Sequence, residues 1–477
     1  MKFSIMNTKW LAAAFVAILT FTMASCIEDG FSTSPSDQIS FSVDTLDMGE
    51  VYTGELAATH RFVVYNRNNK GLNISRISLS GENAGLFRLN VDGFAGTTFS
   101  DVEIRAKDSI FVYVDVNLPE NGTVDSKRVL ANIDFSVNGI GSSLPLAVTG
   151  RDIIRMKGHI VTSDEIFEAG RPYRLIDSLV VAPGATLTLA PGAQLLFHDG
   201  ARMDVRGSLR SEGTPDKPVV LTGDRTGEVI PGVSFDIMSR QWFGIIFHES
   251  SADNAMEFTE VSNTSYGVSA YGEASSTPSF DNPQLSLVNC RLRNSGDVVL
   301  RAVNTSINAF GCEFAEASSD LVLLAGGSYR FDQCTASNNY LFTAISGSAW
   351  HLLPADTSAD EPVMPTEAIV TNSITHGYGG DVAPTDLTKD FPDVRFQNCM
   401  FKANGTDDDN FVSCIWDADP LFYTVRDDYY FDYRVRPDSP AIGAADPSIS
   451  TSLSPIDFYG SARTSDLGAY TFTAPEE

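Results

Sequence analysis

Positive charge is scarce in this chain. Its 477 residues carry 33 Lys and Arg against 61 Asp and Glu, a net charge of −28. A surface that acidic repels phosphate, which excludes a nucleic-acid-binding role. Glycine and proline, at 37 and 22, sit at background level and exclude collagen and long low-complexity linkers. The histidines show no metalloprotease spacing. Only one apolar run approaches membrane length, and it lies at the N-terminus. With 43% apolar and 20% charged residues the chain can bury a sizeable core, and its length implies two or three domains.

The N-terminus reads as an address. Lys2 and Lys9 form a basic region around the start of an apolar stretch, Trp10 to Ala24, that is too short to span a bilayer comfortably. It ends in Met23-Ala24-Ser25-Cys26. Small residues just before a cysteine resemble a bacterial lipoprotein signal, against the plainer alternative of an ordinary secretory signal. The resemblance implies cleavage of residues 1–25, lipidation of Cys26, and membrane attachment through acyl chains. Loss of Lys2 and Lys9 then takes the net charge from −28 to −30. Ile27-Glu28-Asp29 resembles the surface-export signal of Bacteroidota lipoproteins, which implies a cell outer membrane location facing outward. Residues 26–36 are expected as a lipidated tether, with a polar stretch from Phe31 to Gln38.

Residues 37–150 alternate with period two, as in Ile39-Ser-Phe41-Ser-Val43 and Phe111-Val-Tyr113-Val-Asp115. Turn signals separate the runs at Asn68-Asn69-Lys70-Gly71, Asn121-Gly122 and Asn138-Gly139. About seven short strands in this length suit an Ig-like β-sandwich, without the Cys–Trp–Cys core of antibody domains. Leu46-Asp-Met-Gly49-Glu-Val51, Asn66 and Leu146-Ala-Val-Thr-Gly150 together resemble the Ig-like modules of the hydin-related group, which implies a spacer or interaction domain.

A 22-residue repeat follows. Cys290, Cys312 and Cys334 are evenly spaced in matching contexts, Cys399 marks another copy, and Thr259 takes the cysteine slot upstream. Such a period with β-type residues predicts a solenoid whose coils stack at about 4.8 Å, placing these five residues in one inward ladder. Leu179-Val-Val-Ala-Pro-Gly184 through Phe197, then Met203-Asp-Val205-Arg-Gly207 and Trp242-Phe-Gly244, resemble the opening rungs of right-handed parallel β-helix proteins of the pectin-lyase-like superfamily. The expected architecture is all-β: the sandwich, a parallel β-helix of roughly ten coils over 151–432, and a segment over 433–477. That last segment, with Tyr433-Arg-Val435, Asp457-Phe-Tyr-Gly460 and Asp466-Leu-Gly468, resembles the "choice-of-anchor" termini of bacterial β-helix surface proteins. It is read as a cap on the open solenoid end.

The candidate chemistry is sparse. Five cysteines besides Cys26 leave one without an intramolecular partner, and a ladder spacing of about 4.8 Å exceeds disulfide reach, so buried free thiols are expected. Leu196-Phe197-His198-Asp199 and Ile246-Phe247-His248-Glu249 look alike, but two rungs of separation would put the histidines too far apart for one metal. Asp407, Asp408 and Asp409 are the densest acidic cluster, read as loop charge with a Ca²⁺ site as the alternative. Thr375-His376-Gly377 lacks the first glycine of the polygalacturonase motif, and no catalytic residue is assigned. No other cofactor is implied.

Insertions at Glu273 to Asn282 and Ala355 to Asp393 interrupt the rung period, where binding loops are often found. Tyr266, Tyr271, Trp350, His351, Tyr378 and Trp416 are candidate platforms for sugar rings. Asp44-Thr45-Leu46, Asp108-Ser109-Ile110 and Asp177-Ser178-Leu179 resemble the short O-glycosylation motif of Bacteroidota exported proteins. The expected function is surface display of a β-helix for adhesion or glycan binding, by a monomer. A lyase or hydrolase of acidic polysaccharide is the alternative.

Overall fold

A computed structural model describes residues 30–474, apart from 231, 275–278, 361, 450 and 451. Cys26 and the expected signal lie outside the described residues. The chain divides into two compact units, Met1–Arg151 and Asp152–Glu477.

The first unit is a sandwich of two sheets. One joins Ile39–Phe41, His60–Asn66, Ser109–Val116, Phe87–Val91 and Phe94–Gly96. The other joins Leu46–Tyr52, Ile140–Arg151, Lys127–Val137, Leu72–Ser80 and Thr98–Phe99, with Val102–Ile104 also on Leu72–Ser80. Alternate residues of both sheets, among them Phe62, Val64, Val112, Val114, Ile133 and Phe135, close a core. The segments quoted for the hydin-like resemblance are neighbours, since Leu46–Tyr52 pairs in parallel with Leu146–Arg151. Asn66 is buried and fully used: its Nδ2 donates to the Lys70, Ile104 and Arg105 carbonyls at 2.8, 3.1 and 2.9 Å. The expected tether is partly docked. Phe31 bridges to Gly71, and Asn138 Nδ2 donates to the Ser34 and Asp37 carbonyls.

The second unit is a parallel β-helix: among the described residues 25 strands join in one continuous, all-parallel network, and two short antiparallel pairs stand outside it. A typical coil runs Gln194–Phe197, Arg202–Val205, Ser208–Glu212, then returns at Val219–Gly223 beside Gln194–Phe197. Three sheets result, here called first, second and third in that order. The third sheet contains ten stacked strands, from Glu165–Phe167 to Phe411–Val412, matching the expected number of coils. No coil can bury its own inward row, and stacking gives each row its cover. Inward columns such as Ile245, Val268, Leu300, Val322, Trp350 and Val382 fill the interior.

The turn from the third sheet to the first is a single residue with positive φ: Asn289, Gly311, Gln333, Asn372, Asn398 and Ser413 in successive coils, φ 49–65°. Asparagine tolerates this left-handed region and glycine occupies it freely, which explains the Asn or Gly before Cys290, Cys312 and Cys399. The next residue points inward. Registers place Thr259, Cys290, Cys312 and Cys334 in one column, as expected. Ser373 follows, then Cys399 and Cys414. Ser373 belongs to a coil the sequence reading had treated as insertion: Thr366–Thr371, Ile374–Gly377 and Gly380–Ala383 are all rungs. Only 354–365 and 384–393 leave the solenoid there.

The C-terminal end is closed by residues 403–421. Trp416 stacks on Phe401 at 4.9 Å, continuing its inward column, and packs edge-on against Phe411. A Cβ at Gly405 would sit 2.3 Å from the Trp416 ring, so only glycine lets the loop close over it. Residues 433–474 therefore do something else. They run along the outer face of the first sheet as a strap. Tyr433, Phe458, Leu467 and Tyr470 pack there against Phe258, Ala315, Ile374 and Met400. The left-handed asparagines hold it: Asn289 Nδ2 donates to Ser454 Oγ and Ile456 O, Asn372 Nδ2 to Asp446 O, and Asn398 Nδ2 to Ala444 O, at 2.8–3.0 Å.

Candidate functional site

Two insertions rise beside each other on the second sheet. The first, 272–284, is pinned by Gln284, whose Nε2 donates to the His248 and Tyr271 carbonyls at 2.9 and 3.0 Å. Asn308 Nδ2 holds the Phe280 carbonyl at 2.8 Å. The second, 354–365, is a small hairpin closed by the Asp356–Val363 bridge. Asn304 anchors it, donating to Pro362 O at 2.8 Å and accepting from Met364 N at 2.9 Å. Its backbone passes so close to Gly326 that a Cβ there would meet Met364 O at 2.7 Å.

Between them lies an open groove of about 660 Å³. Its floor is a row of outward residues on adjacent strands, Tyr271, Val303, Ala325 and Leu353. Glu249, Arg301 and Asp360 line it as well. Arg301 is ion-paired with Asp297 at 3.2 Å. A second recess of about 370 Å³ shares Glu249, Gly272 and Asn304 with the groove and adds Asp253 and Glu273. The lining therefore has an apolar, partly aromatic floor and an acidic rim with one guanidinium.

Few of the sequence-nominated residues meet here. Tyr271 does. Trp350 is buried in the core, its Nε1 donating to Thr375 Oγ1 at 2.9 Å, because its register position points inward. Trp416 belongs to the end closure. Tyr378 lies under Arg426 at 4.5 Å, and Tyr266 packs on Phe243 at 4.6 Å. His351 is bound to Asp320 at 3.0 Å.

His198 and His248 are not two rungs apart on one sheet. Leu195 pairs with Leu221 on the first sheet, whereas Ile245 pairs with Met203 on the second. Each histidine has its own acid: His198 Nδ1 lies 2.8 Å from Asp224 and His248 Nε2 lies 2.8 Å from Asp204.

Asp407 and Asp408 are spent on the end loop. Asp407 Oδ1 accepts from Trp416 Nε1 and Cys414 N, both at 3.1 Å. Asp408 Oδ1 accepts from Asn410 N and Phe411 N at 2.7 and 2.9 Å. Among the described residues no group of three or more His, Cys, Asp and Glu is arranged to hold a metal ion, so Asp407, Asp408 and Asp409 do not converge as a Ca²⁺ site. Burial holds His376 below its usual range, against the pull of Asp419.

The five described cysteines are free, and burial pushes the Cys290, Cys334 and Cys399 thiols up. The thiols are packing groups: the Cys290 amide donates to Cys312 Sγ at 3.4 Å, and Cys290 Sγ donates to Met256 O at 3.1 Å.

The sequence reading missed a charged layer under the strap. Arg291 and Arg293 point outward from the first sheet, as alternation requires, but the strap buries them. Arg291 pairs with Glu260 at 3.3 Å and Arg293 with Glu313 at 2.8 Å. The Tyr470 hydroxyl donates to Glu313 and the Tyr433 hydroxyl to Glu316. Burial pushes the Glu316 carboxyl up to about 7, against the opposing pull of Arg293.

No protein-family model matches the chain, and no curated protein matches it significantly. Among solved structures, similarity extends to a protein of unknown function from Porphyromonas gingivalis W83, with 15% identity, 23% of this chain and 45% of that one covered, and a TM-score of 0.17. A family 123 glycoside hydrolase from Clostridium perfringens aligns at 11% identity over 24% of this chain and 26% of its own, with a TM-score of 0.18. The ASH/PapD-like domain 7 of human CEP192 aligns at 14% identity over 27% of this chain and 95% of its own, with a TM-score of 0.17. These alignments carry neither fold nor activity to this chain, and its functional reading rests on its own residues.

Proposed function

We propose that this protein is an exported lipoprotein, anchored through Cys26 at the outer membrane and facing outward, whose β-helix binds an uncharged glycan in the groove between 272–284 and 354–365. The observation that supports the binding reading most is the pinning of both second-sheet insertions beside one row of outward residues. A floor carrying Tyr271 offers an aromatic face to a sugar ring, while carboxylates at the rim accept from hydroxyls. The rim also selects by charge. Glu249, Asp253, Glu273 and Asp360 outnumber Arg301, so a polyanionic chain is repelled.

A second reading has one observation in its favour: Glu249 and Asp360 share the groove, and a pair of carboxylates is what glycoside cleavage needs. One set of experiments separates the readings. The chain from residue 26 with Cys26→Ser is screened against neutral and acidic glycans. Binding to neutral glycans, weakened about tenfold by Tyr271→Ala, supports the groove. Binding that survives Tyr271→Ala, or no binding at all, overturns it. New reducing ends that vanish in Glu249→Gln would replace display with hydrolysis. The anchor is tested separately: Cys26→Ala is expected to move the protein from the membrane fraction to the soluble one, and retention in the membrane refutes lipidation.

A further inference from the structure

Three segments that leave the rung pattern converge outside the first sheet. They are the turn Phe235–Ile237, the loop 339–347 and the hairpin of Phe422–Val425 with Phe431–Val435. Together they enclose a small recess of about 50 Å³, room for a group of a few heavy atoms. Its base is polar, formed by Arg293, Asn294 and Glu316, and its wall is apolar, with Ile237, Phe342 and Phe431 among the lining residues. Asp236 stands at the edge.

The recess is built rather than incidental. Asn263 Nδ2 donates to the Asp236 and Met238 carbonyls at 2.7 and 2.8 Å, fixing the turn. Ser239 Oγ and the Tyr340 hydroxyl are 2.6 Å apart, tying the turn to the loop. Arg426 Nη2 donates to Tyr340 O at 2.6 Å, tying the loop to the segment between the hairpin strands. At the base, Asn294 is only 7% exposed, yet its Nδ2 has no hydrogen-bond partner among the described residues. Arg293 is already committed, with Nη2 2.8 Å from Glu313 and Nε 3.7 Å from Glu316, which leaves the Asn294 amide as the unmet donor. A buried donor left without an acceptor is costly, and a ligand oxygen would relieve that cost.

The occupant's charge is constrained from both sides. An anion would face Asp236 and Glu316, and a cation would face Arg293. The acceptor must therefore be neutral, and it must carry a small apolar body for the Ile237, Phe342 and Phe431 wall. We propose that this recess is a second binding site, separate from the groove, that takes an acetamide group through its carbonyl oxygen on Asn294 Nδ2 and its methyl against Phe342 and Phe431.

The test is saturation-transfer difference NMR on the acetyl methyl signal, using the chain from residue 26 with Cys26→Ser. The probes are N-acetylglucosamine, N-methylacetamide and glucose. The expected result is transfer to the acetyl methyl of both acetamides and none to glucose; transfer to N-acetylglucosamine alone would assign the acetamide to a sugar within the same site. Phe342 lies 37% exposed on its loop, so Phe342→Ala keeps the fold. It is expected to reduce the signal at least fivefold, as is Asn294→Asp, which replaces the donor by an acceptor. Tyr271→Ala, in the groove, is expected to leave it unchanged. Absence of transfer at 10 mM probe (roughly the weakest affinity a site of this kind would show) overturns the proposal. So does a signal that persists in both recess variants, or one lost in Tyr271→Ala.

Discussion

Replacing Glu316 by glutamine separates the cost of a buried carboxylate from everything else under the strap. In the folded protein burial raises this carboxyl from 4.5 to about 7, with Glu313 adding to the rise and Arg293 and the Tyr433 hydroxyl opposing it. Between those two values the native carboxyl keeps its proton while that of the unfolded chain has lost it. The native state then binds more protons, so stability falls as pH rises through the window and stays reduced above it. At about 1.4 kcal/mol per unit, the limit is roughly 3 kcal/mol between pH 4.5 and 8. Glutamine keeps the shape and can still accept from Tyr433, but it does not ionise. Any fixed cost of the substitution cancels in the comparison across pH. The assay is urea unfolding followed by tryptophan fluorescence. Beyond the expected signal, tryptophan occurs only at Trp242, Trp350 and Trp416, so the signal reports the β-helix unit alone. The stability of Glu316→Gln relative to the parent is expected to rise by about 2–3 kcal/mol from pH 5 to pH 8. A difference that is flat with pH, or that moves the other way, refutes the reasoning.

Removing the end-loop acid by Asp407→Ala takes the acceptor from Trp416 Nε1 and Cys414 N, and is expected to cost about 1–2 kcal/mol with a red-shifted tryptophan emission; an unchanged emission contradicts the assigned role. Because Asp407 and Asp408 already accept backbone and indole hydrogens, chelating Ca²⁺ is expected to leave the melting temperature within about 1 °C, whereas a larger drop would restore the cation site. Asn304→Ala loses the two side-chain bonds that anchor the 354–365 hairpin, so limited proteolysis is expected to cut that loop at least several-fold faster, and equal rates would show that other contacts pin it. Gly327→Ala places a Cβ 2.1 Å from Thr305 O at φ +104°, and is expected to destabilise the β-helix by about 2 kcal/mol or more in the same urea assay; a smaller loss would mean that the coil relaxes there.

The solenoid was legible because its repeating side chain was unusual. Cysteine recurring at 22 residues marks an inward position, and registers through Arg291, Glu313 and Thr335 confirm it. The same logic failed one coil later, where serine fills the slot at Ser373 and the interval to it is 39 residues. A small polar residue in that column makes the same bonds as a thiol, so the pattern was physically continuous while the letter changed. Phe197-His198 and Phe247-His248 looked equivalent because any inward phenylalanine at the end of a strand is followed by a turn residue. Which sheet a strand joins depends on coil length, and the long excursion between Gly223 and Gly244 shifted the count. Trp350 was nominated as a surface platform from residue type alone, whereas its position between Val322 and Val382 sends it inward. Arg291 and Arg293 read as ordinary solvated charges, since outward alternation is all that local sequence records. Their burial comes from a strap more than 130 residues downstream, a long-range contact with no local signature. For the same reason Asn294 and Glu316 were invisible as site residues. They line a recess only because three separate excursions meet above them.

The cysteine column remains the feature on which the β-helix, its groove and its covered face all depend. Locating the sulfurs of a crystal by their anomalous scattering measures it directly. The expected pattern is a line of Cys290, Cys312 and Cys334 at intervals of about 4.8 Å, a gap of twice that at Ser373, then Cys399 and Cys414 one interval apart. Sulfur positions scattered over different sheets, or Cys334 and Cys399 in adjacent coils, would contradict the architecture.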